Sequence, residues 1–177
     1  MSDSPEGRPS ARCLLLKGFT RAGFQFFTDY ESRKARDLAS NPYAALVFFW
    51  EPLHRSVRVQ GSVEKVSVEE STEYFRSRPR ESQISACASK QSSVIESRDV
   101  LTKKTDELRK LYADKEVPKP ENWGGFLVKP EVVEFWQGQS TRAHDRIQFR
   151  RPKNGEVVDE KMTHTGDDGW VYERLSP

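Results

Sequence analysis

The chain has 177 residues, the length of one domain that can bury most of its surface, and we expect a single domain over residues 10–177 behind a short polar tail over residues 1–9. Its 29 Lys and Arg side chains nearly balance 27 Asp and Glu side chains, so the net charge of +2 argues against a general polyanion binder. Cys13, Cys87 and three scattered histidines lack the spacing of a disulfide framework or a metal site, so we expect no metal and a reducing compartment.

The polar character of the chain also bears on its location. The longest apolar run, residues 43–50, is too short to cross a bilayer and is predicted to form a buried strand. Residues 1–9 carry neither the apolar centre of a signal peptide nor the arginine-rich pattern of a transit peptide. We therefore expect a cytoplasmic protein that does not associate with membranes.

Four segments in the first part of the chain are predicted strands. Residues 13–16 are apolar throughout, which favours a strand buried on both faces. Residues 24–29 are expected to return as its partner after a turn bracketed by glycines. Residues 43–51 and 56–66 are predicted to pair, and the alternation of apolar and polar residues in the second indicates one wet face.

A short helix is predicted between these two strand pairs. Residues 31–40 have helix-forming composition and stop before Pro42, which places Arg33 and Lys34 in the first turn. Cations there oppose the helix dipole, and a bound phosphate would relieve the conflict. The alternative interpretation is two solvated basic residues.

Two consecutive helices are predicted around residue 79. The capping box of residues 67–70 begins a helix that ends near residue 77, and Tyr74 and Arg78 share its face. Pro79 breaks this helix and can begin the next, which places Ser82 one turn into a new N-terminus. Hydroxyl and guanidinium groups gathered in this way suit a phosphate monoester, whereas the alternative is ordinary capping beside a half-buried tyrosine.

The rest of the chain adds one helix and several strands. Residues 97–113 have the apolar period of an amphipathic helix, to which no chemistry is assigned. Residues 124–128 and 132–137 are predicted strands separated at Lys129 and Pro130, and residues 170–175 form a closing strand. Many short strands without a regular βαβ alternation predict an antiparallel barrel with helices packed outside.

Residues 142–149 carry the densest cluster of nitrogen-bearing side chains. If this segment is extended, as its composition suggests, Arg142, His144 and Arg146 project from one face, whereas a helix would scatter them. Two guanidiniums beside an imidazole suit an anionic, planar ligand that is redox-active or exchanges protons. The alternative interpretation is a solvated basic strand.

The sequence resembles the pyridoxine (pyridoxamine) 5′-phosphate oxidase family. Glu-Phe-Trp at residues 134–136, followed after five residues by Arg-Ala-His-Asp-Arg at residues 142–146, is similar to the family's C-terminal signature. Further blocks occur in family order at residues 10–18, 26–28, 31–34, 77–79, 82–84 and 91–93. The resemblance extends from about Gly7 to Pro177, and several separated blocks are far more specific than one motif.

The resemblance implies an activity, a fold and a partner. The activity is FMN-dependent oxidation of pyridoxine or pyridoxamine 5′-phosphate to pyridoxal 5′-phosphate, with O2 reduced to H2O2, as in vitamin B6 salvage. The fold is mainly β with flanking helices, one FMN-binding split barrel over residues 10–177. The family helix and first strand that usually precede Gly7 are expected to be lacking. The implied assembly is a homodimer with FMN at the subunit interface.

Residue roles follow from matching the motif positions. Contacts to FMN are implied for Arg12, Leu14, Leu15, Phe27, Thr28, Arg33, Lys34, Gln91, Ser92, Trp136 and Arg146. Binding of the substrate phosphate is implied for Lys17, Tyr74, Arg78 and Ser82. Arg142 and His144 match the residues that lie over the substrate ring, with Arg142 orienting the substrate and His144 aiding binding and proton movement.

Two positions depart from the family pattern and leave a second function open. Ser56 stands where a glutamine usually contacts the flavin, and Ala143 replaces a larger aliphatic residue. The alternative function is a non-catalytic flavin or pyridoxal phosphate binding protein on the same fold. Nucleic-acid binding through the basic residues 146–153 is not expected, because the net charge is small and no binding motif is present.

Overall fold

Ten β-strands and four α-helices make up most of the described chain, which comprises residues 2–3 and 8–177 of this computed structural model. The strands are β1 Ser2–Asp3, β2 Pro9–Ser10, β3 Gly18–Thr20, β4 Gly23–Asp29, β5 Tyr43–Trp50, β6 Arg55–Lys65, β7 Trp123–Gln137, β8 Asp145–Arg150, β9 Thr163–Thr165 and β10 Val171–Arg174. The helices are α1 Arg33–Ser40, α2 Val68–Ser77, α3 Arg80–Ala88 and α4 Arg98–Leu111.

The described residues divide into two compact units. The N-terminal unit comprises the described part of residues 2–42 together with residues 63–127, and the C-terminal unit comprises residues 43–62 and 128–177. The division falls within β6 and β7. The tail predicted over residues 1–9 lies largely outside the described residues, although β1 pairs with β2. The single domain predicted over residues 10–177 stays a prediction.

The N-terminal unit joins a hairpin to four helices. β3 and β4 pair antiparallel with Phe19 opposite Phe24, and β4 lies beside β7. The side chain of Ser67 accepts a hydrogen bond from the Glu70 N–H at 3.0 Å, which caps the start of α2 as the sequence predicts. Behind the hairpin the buried core of this unit consists of Phe75, Ile84, Leu108, Val117 and Trp123.

The C-terminal unit consists of antiparallel strands. β5 pairs with β6 from Tyr43 opposite Ser62 to Trp50 opposite Arg55. The second half of β7 pairs with β8, β8 pairs with β10, and β10 pairs with the short strand β9. The buried apolar residues of this unit include Val59, Val128 and Val171.

Most of the predicted elements are confirmed, with ends that move by one or two residues. This holds for the helices predicted over residues 31–40, 67–77 and 97–113 and for the strands predicted over residues 56–66 and 170–175. Periodic apolar patterns and capping residues fix these elements locally, so the sequence reveals them. β9 was not predicted, because its three polar residues carry no such pattern.

The prediction of a buried strand over residues 13–16 is wrong. These residues form no regular element, and Leu14, Leu15 and Leu16 are 43%, 72% and 45% exposed. An apolar run indicates that its side chains are favoured in a buried position, but it does not show which part of the protein, or which partner, buries them. In this chain Leu14 and Leu15 line a pocket.

The predicted strand at residues 43–51 is confirmed as β5, but its predicted burial is wrong. Val47 and Phe49 are 66% and 62% exposed, whereas Leu46 and Phe48, which point to the other face, are half-buried. The chain itself covers one face of β5 and leaves the other face apolar and open. A continuous apolar run predicts burial on both faces and cannot assign the second face to this chain or to another.

The predicted interruption at Lys129 and Pro130 is also wrong, because β7 runs unbroken from Trp123 to Gln137. Pairing between β7 and β8 begins only at Val132, opposite Arg150. The missing N–H of Pro130 therefore lies outside that ladder and costs it no hydrogen bond.

Close packing of β6 against β7 predicts a sharp penalty at Gly61. A Cβ added there would lie 1.8 Å from the carbonyl oxygen of Lys129, a backbone atom that cannot move aside. We expect Gly61→Ala to lower the free energy of unfolding by roughly 3 kcal/mol, at the upper end of overpacking costs. Urea unfolding with an unchanged denaturant slope measures this loss.

Gly155→Ala provides the matched control. Gly155 has a φ of +76°, and an added Cβ would meet no atom within 4 Å, so only backbone strain of about 1 kcal/mol is expected. Equal losses in the two variants would contradict the packing argument.

Candidate functional site

A pocket of about 450 Å³ in the N-terminal unit collects many of the side chains predicted to bind phosphate or flavin. The predicted residues that line it are Leu14, Leu15, Lys17, Phe27, Thr28, Tyr74, Arg78 and Gln91. The lining residues that the sequence did not single out are Cys13, Asp29, Ser85, Ala86, Ser89 and Trp123. Parts of the chain that are distant in sequence thus supply aromatic, hydroxyl and cationic groups to one cavity.

Stacked aromatic rings form one wall of this pocket. The ring centroids of Phe27 and Tyr74 lie 4.0 Å apart, and those of Phe27 and Trp123 lie 5.5 Å apart, in both cases with nearly parallel planes. Trp123 also belongs to the core of the unit and meets the Phe75 ring edge-on. The wall is therefore anchored in the core, so the polar groups beside it are held in place.

Arg78 brings a cation to this wall without a complementary acceptor. Its guanidinium carbon lies 4.7 Å from the centre of the Trp123 ring, a cation–π contact. Its Nη1 atom is buried, and the described residues offer it no hydrogen-bond acceptor. Burial lowers the pKa of Arg78, while charge interactions with Tyr74 and Cys87 oppose the shift. A buried donor of this kind is costly unless an acceptor, such as a bound anion, completes it.

Lys34 is a buried cation of the same unit, only 7% exposed. Its Nζ atom donates to Gln91 Oε1 at 2.5 Å, to Thr28 Oγ1 at 2.9 Å and to Ser32 Oγ at 3.2 Å. All three acceptors are uncharged. Burial lowers the pKa of Lys34 to about 8, Arg12 adds to the lowering, and Asp29 opposes it. The ammonium group is therefore fully hydrogen-bonded but poorly compensated in charge.

The start of α1 has the character that the sequence predicts. Arg33 and Lys34 occupy its first turn, which contains no acidic residue, and the buried N-cap residue Ser32 makes no side-chain capping bond. Arg33 is exposed. Free N–H groups and two cations at a helix start favour an anion there.

The remaining predicted residues of this unit lie outside the pocket lining. Arg12 donates to Ser10 Oγ at 2.7 Å and lies 3.7 Å from a carboxylate oxygen of Asp37. Ser82 is half-buried in the first turn of α3, whereas Ser85 and Ser89, further along the chain, line the pocket. Ser92 is exposed, with a φ of +69°. Their predicted contacts with ligands stay predictions.

Asp29 is a functional candidate that the sequence reasoning missed. Its carboxylate accepts from the Glu31 N–H at 2.6 Å, from Asn122 Nδ2 at 3.1 Å and from the Gln91 N–H at 3.3 Å. It thus holds the loop that presents Gln91 to Lys34. A polar residue directly after Thr28 at the end of an apolar strand was the available signal.

The C-terminal unit contains the other predicted residues, and it corrects one prediction about them. Arg142 and His144 do not share a strand face with Arg146, because β8 begins only at Asp145. Arg142 lies in a turn with a φ of +65°, and its N–H donates to the Gln139 carbonyl at 3.2 Å. The hairpin loop reverses the chain here, a constraint that strand-forming composition does not reveal.

His144 is held at the base of this loop. Its ring centroid lies 5.0 Å from that of Trp136, and its Nδ1 atom accepts a hydrogen bond from the Gln139 N–H at 3.0 Å. The ring nitrogen Nδ1 is therefore engaged with the backbone. Trp136 and His144, predicted to serve cofactor and substrate respectively, are thus brought together.

Arg146 forms an ion pair that the sequence did not predict. It donates to Glu134 through Nε at 2.8 Å and Nη2 at 3.2 Å, and Arg58 donates to the same carboxylate at 2.5 Å. Glu134 is buried, and the hydrogen bond from Arg146 is the largest cause that lowers its pKa, with Arg58 adding to the effect. The predicted contact of Arg146 with FMN stays a prediction.

Two solved structures share the fold of this chain. The first is PhzG from Burkholderia lata, with a TM-score of 0.85 and 23% identity over 99% of this chain and 79% of that chain. The second is a pyridoxamine 5′-phosphate oxidase-related, FMN binding protein from Nostoc punctiforme, with a TM-score of 0.71 and 16% identity over 99% and 84% of the two chains. They confirm the predicted fold class, a mainly β split barrel with flanking helices.

The chain belongs to the pyridoxamine 5′-phosphate oxidase family. Residues 2–112 match the family model described as pyridoxamine 5′-phosphate oxidase, and residues 123–177 match that of the pyridoxine 5′-phosphate oxidase C-terminal dimerisation region. A curated relative from Bombyx mori, named pyridoxine/pyridoxamine 5′-phosphate oxidase, is 58% identical over 98% of this chain and 68% of its own length. These matches confirm the resemblance on which the predicted activity rests.

The lengths and apolar character of the helices bear on whether any of them could span a membrane. Across the described residues, no helix combines the length and the apolar character needed to span a bilayer. The cytoplasmic location stays a prediction.

The lowered pKa of the buried Lys34 predicts that stability depends on pH. Between the folded pKa of about 8 and the ordinary value of 10.5, the unfolded chain holds a proton at Lys34 that the folded chain lacks. The free energy of unfolding of the wild type, relative to Lys34→Met, should therefore rise with pH through this window, by at most about 1.4 kcal/mol per pH unit.

Urea unfolding of both proteins across that window measures the difference. Lys110→Met, at an exposed position on α4, is the control. The difference in the free energy of unfolding between the wild type and this variant should not rise with pH. A difference between wild type and Lys34→Met that stays flat with pH would contradict the assignment.

Proposed function

We propose that the chain is an FMN-dependent oxidase that converts pyridoxine 5′-phosphate or pyridoxamine 5′-phosphate to pyridoxal 5′-phosphate, with O2 reduced to H2O2. The observation that carries the proposal is the pocket of the N-terminal unit: Arg78 lies there beside an aromatic wall, and the buried Lys34 donates hydrogen bonds to Thr28 and Gln91, which line it. Family membership and the name of the 58% identical relative support the same activity. Two phosphate-bearing ligands would supply anions that compensate the charges of these cations.

The residues around Lys34 fit the phosphate of FMN. Lys34 is charged at neutral pH, Thr28 and Gln91 already share its hydrogen bonds, and Arg33 adds a second cation at the start of α1. A dianion there would compensate the buried charge and the helix start together. FMN, when bound, would accept a hydride from the substrate C4′ carbon and pass the electrons to O2.

The substrate phosphate fits the wall that carries Arg78. Lys17 and Tyr74 line the same pocket, so two cations and a phenol hydroxyl are available to one phosphate. The unpartnered Nη1 atom of Arg78 would gain its missing acceptor. We also retain Ser82 as a substrate-phosphate ligand, because its hydroxyl lies in the first turn of α3. Binding energy from the phosphate would serve to position the ring that reacts.

Arg142 and His144 act on the substrate ring in this proposal. Arg142 carries an exposed guanidinium on a turn, free to orient an anionic or electron-rich group, and His144 presents Nε2 because Nδ1 is engaged. Trp136 and Arg146 are assigned to FMN. The chain residues thus bind and orient, while the electron transfer belongs to the cofactor.

We propose that the functional protein is a homodimer with FMN at the interface between the two copies. The C-terminal match is to a region described as the dimerisation region. Within the N-terminal unit Leu15 and Phe19 are 72% and 71% exposed, and in the C-terminal unit one face of β5 is apolar and open. A second copy would cover such exposed apolar surfaces, which often mark interaction sites.

The non-catalytic binding function is the weaker candidate. The relatives that match nearly the whole chain are named oxidases, and both proposed substrate-ring residues, Arg142 and His144, are present. Ser56 and Ala143 depart from the family pattern without removing any residue assigned to substrate.

Absorption spectra of the purified protein loaded with FMN test the proposed function directly. Anaerobic addition of pyridoxine 5′-phosphate should bleach the flavin band, and admission of O2 should restore it with one H2O2 per pyridoxal 5′-phosphate formed. A flavin band that persists after anaerobic addition of either B6 phosphate would instead support the non-catalytic function.

Removal of the unpartnered guanidinium should act on substrate binding. We expect Arg78→Gln to raise KM for pyridoxine 5′-phosphate by roughly 10- to 100-fold, the value of one charge-assisted pair, with kcat changed by less than about threefold. Steady-state H2O2 production measures both constants.

Arg76→Gln is the matched control, because Arg76 is an exposed residue near the end of α2, two positions before Arg78, and lies outside this pocket lining. It should leave KM near the wild-type value. A similar rise in both variants would remove the assigned role of Arg78.

A further inference from the structure

Gln139 connects the residues of the hairpin loop between β7 and β8. Its N–H donates to His144 Nδ1 at 3.0 Å, its carbonyl accepts from the Arg142 N–H at 3.2 Å, and its Nε2 donates to Asp145 Oδ2 at 2.9 Å. One residue thus contacts both proposed substrate-ring residues and the first residue of β8.

The contact with His144 fixes which ring nitrogen carries the proton. A backbone N–H can only donate, so Nδ1 must be the unprotonated nitrogen and Nε2 the protonated one. A proton on Nδ1 would point at the N–H of Gln139 and forfeit the hydrogen bond. The ring therefore presents a hydrogen-bond donor, and not a lone pair, at Nε2.

Asp145 anchors this arrangement from the other side. Its Oδ2 atom accepts from the side chain of Gln139, and its Oδ1 atom accepts from Arg174 Nη1. These two hydrogen bonds, that of Gln139 first, hold the pKa of Asp145 below its ordinary value, so the carboxylate is available as an acceptor at neutral pH. Gln139 is fixed at its side chain while its backbone holds the imidazole.

The hairpin loop is strained at Arg142. Arg142 has a φ of +65°, a conformation that costs a non-glycine residue free energy and persists only when its surroundings enforce it. The Gln139 carbonyl holds the Arg142 N–H in this turn, and the Trp136 ring packs 5.0 Å from the ring of His144. Preorganisation of both substrate-ring residues is the consequence.

We propose that Gln139 and Asp145 are positioning residues that hold His144 as a hydrogen-bond donor through Nε2 toward an acceptor atom of the substrate. His144 then acts by orienting and polarising the substrate, and the proton that leaves the C4′ alcohol or ammonium group goes to solvent water. The role assigned to His144 rests on the proposed function, whereas the state of its ring does not.

Long-range ¹H–¹⁵N correlation spectra of protein labelled at its three histidines read the ring state without substrate. We expect His144, assigned through His144→Gln, to show a protonated Nε2 and an unprotonated Nδ1. Gln139→Pro removes the N–H donor. If this variant does not fold, Gln139→Ala takes its place and removes the anchor to Asp145. The ratio of the Nε2–H to the Nδ1–H form should fall about tenfold, the value of one hydrogen bond.

Asp145 supplies a matched pair of variants. Asp145→Asn keeps an oxygen that can accept from Gln139 and should preserve the ring state, whereas Asp145→Ala should shift it as Gln139→Ala does. Ser140→Ala, an exposed position in the same loop, should leave the spectrum of His144 unchanged. A proton on Nδ1 in the wild type, or an unchanged ratio in both alanine variants, would overturn the proposal.

Kinetics separate the positioning role from a merely structural one. Gln139→Ala and Asp145→Ala should lower kcat by about tenfold while KM changes by less than about threefold, and Asp145→Asn should recover most of kcat. Losses that appear in KM alone, or no recovery in Asp145→Asn, would overturn the role. Failure of the wild type to oxidise B6 phosphates would instead refute the proposed function, and the spectra would still decide whether Gln139 fixes the ring.

Discussion

The site depends on two cations, the buried Lys34 and the half-buried Arg78, whose charge the N-terminal unit leaves incompletely compensated. Lys34 has its hydrogen bonds filled by uncharged oxygens, and Arg78 leaves one buried nitrogen without an acceptor among the described residues. Water cannot reach such groups freely, so each raises the free energy of the folded chain. An anion that binds from outside would compensate both charges, which supports the phosphate ligands proposed above.

Arg146 shows the opposite solution within the C-terminal unit. Glu134 takes hydrogen bonds from both Arg146 and Arg58, so these charges are satisfied by the fold itself. The pair stiffens β7 and β8 at the point where Trp136 and the hairpin loop begin. Rigid strands below and a hydrogen-bonded loop above give the imidazole of His144 a defined orientation, which is what positioning of a substrate ring requires.

Both units of the chain leave large apolar side chains exposed. Leu15 and Phe19 in one unit and Val47 and Phe49 in the other are mostly exposed, although their sequence context is that of core strands. Residues 123–177 match a dimerisation region, and in the proposed homodimer a second copy of the chain would cover these exposed side chains. These apolar runs thus include side chains that the chain itself leaves uncovered.

The sequence by itself determined the family, the helices and most strands, because capping residues, apolar periods and motif blocks are local signals. It also placed Lys34 in the first turn of α1 and Arg78 at the end of α2. Only the tertiary structure decided that Leu14 and Phe49 are uncovered, that Arg142 lies in a strained turn, and that Gln139 holds His144. These features arise from contacts between residues set by chain reversal and packing, and no spacing along the chain encodes them.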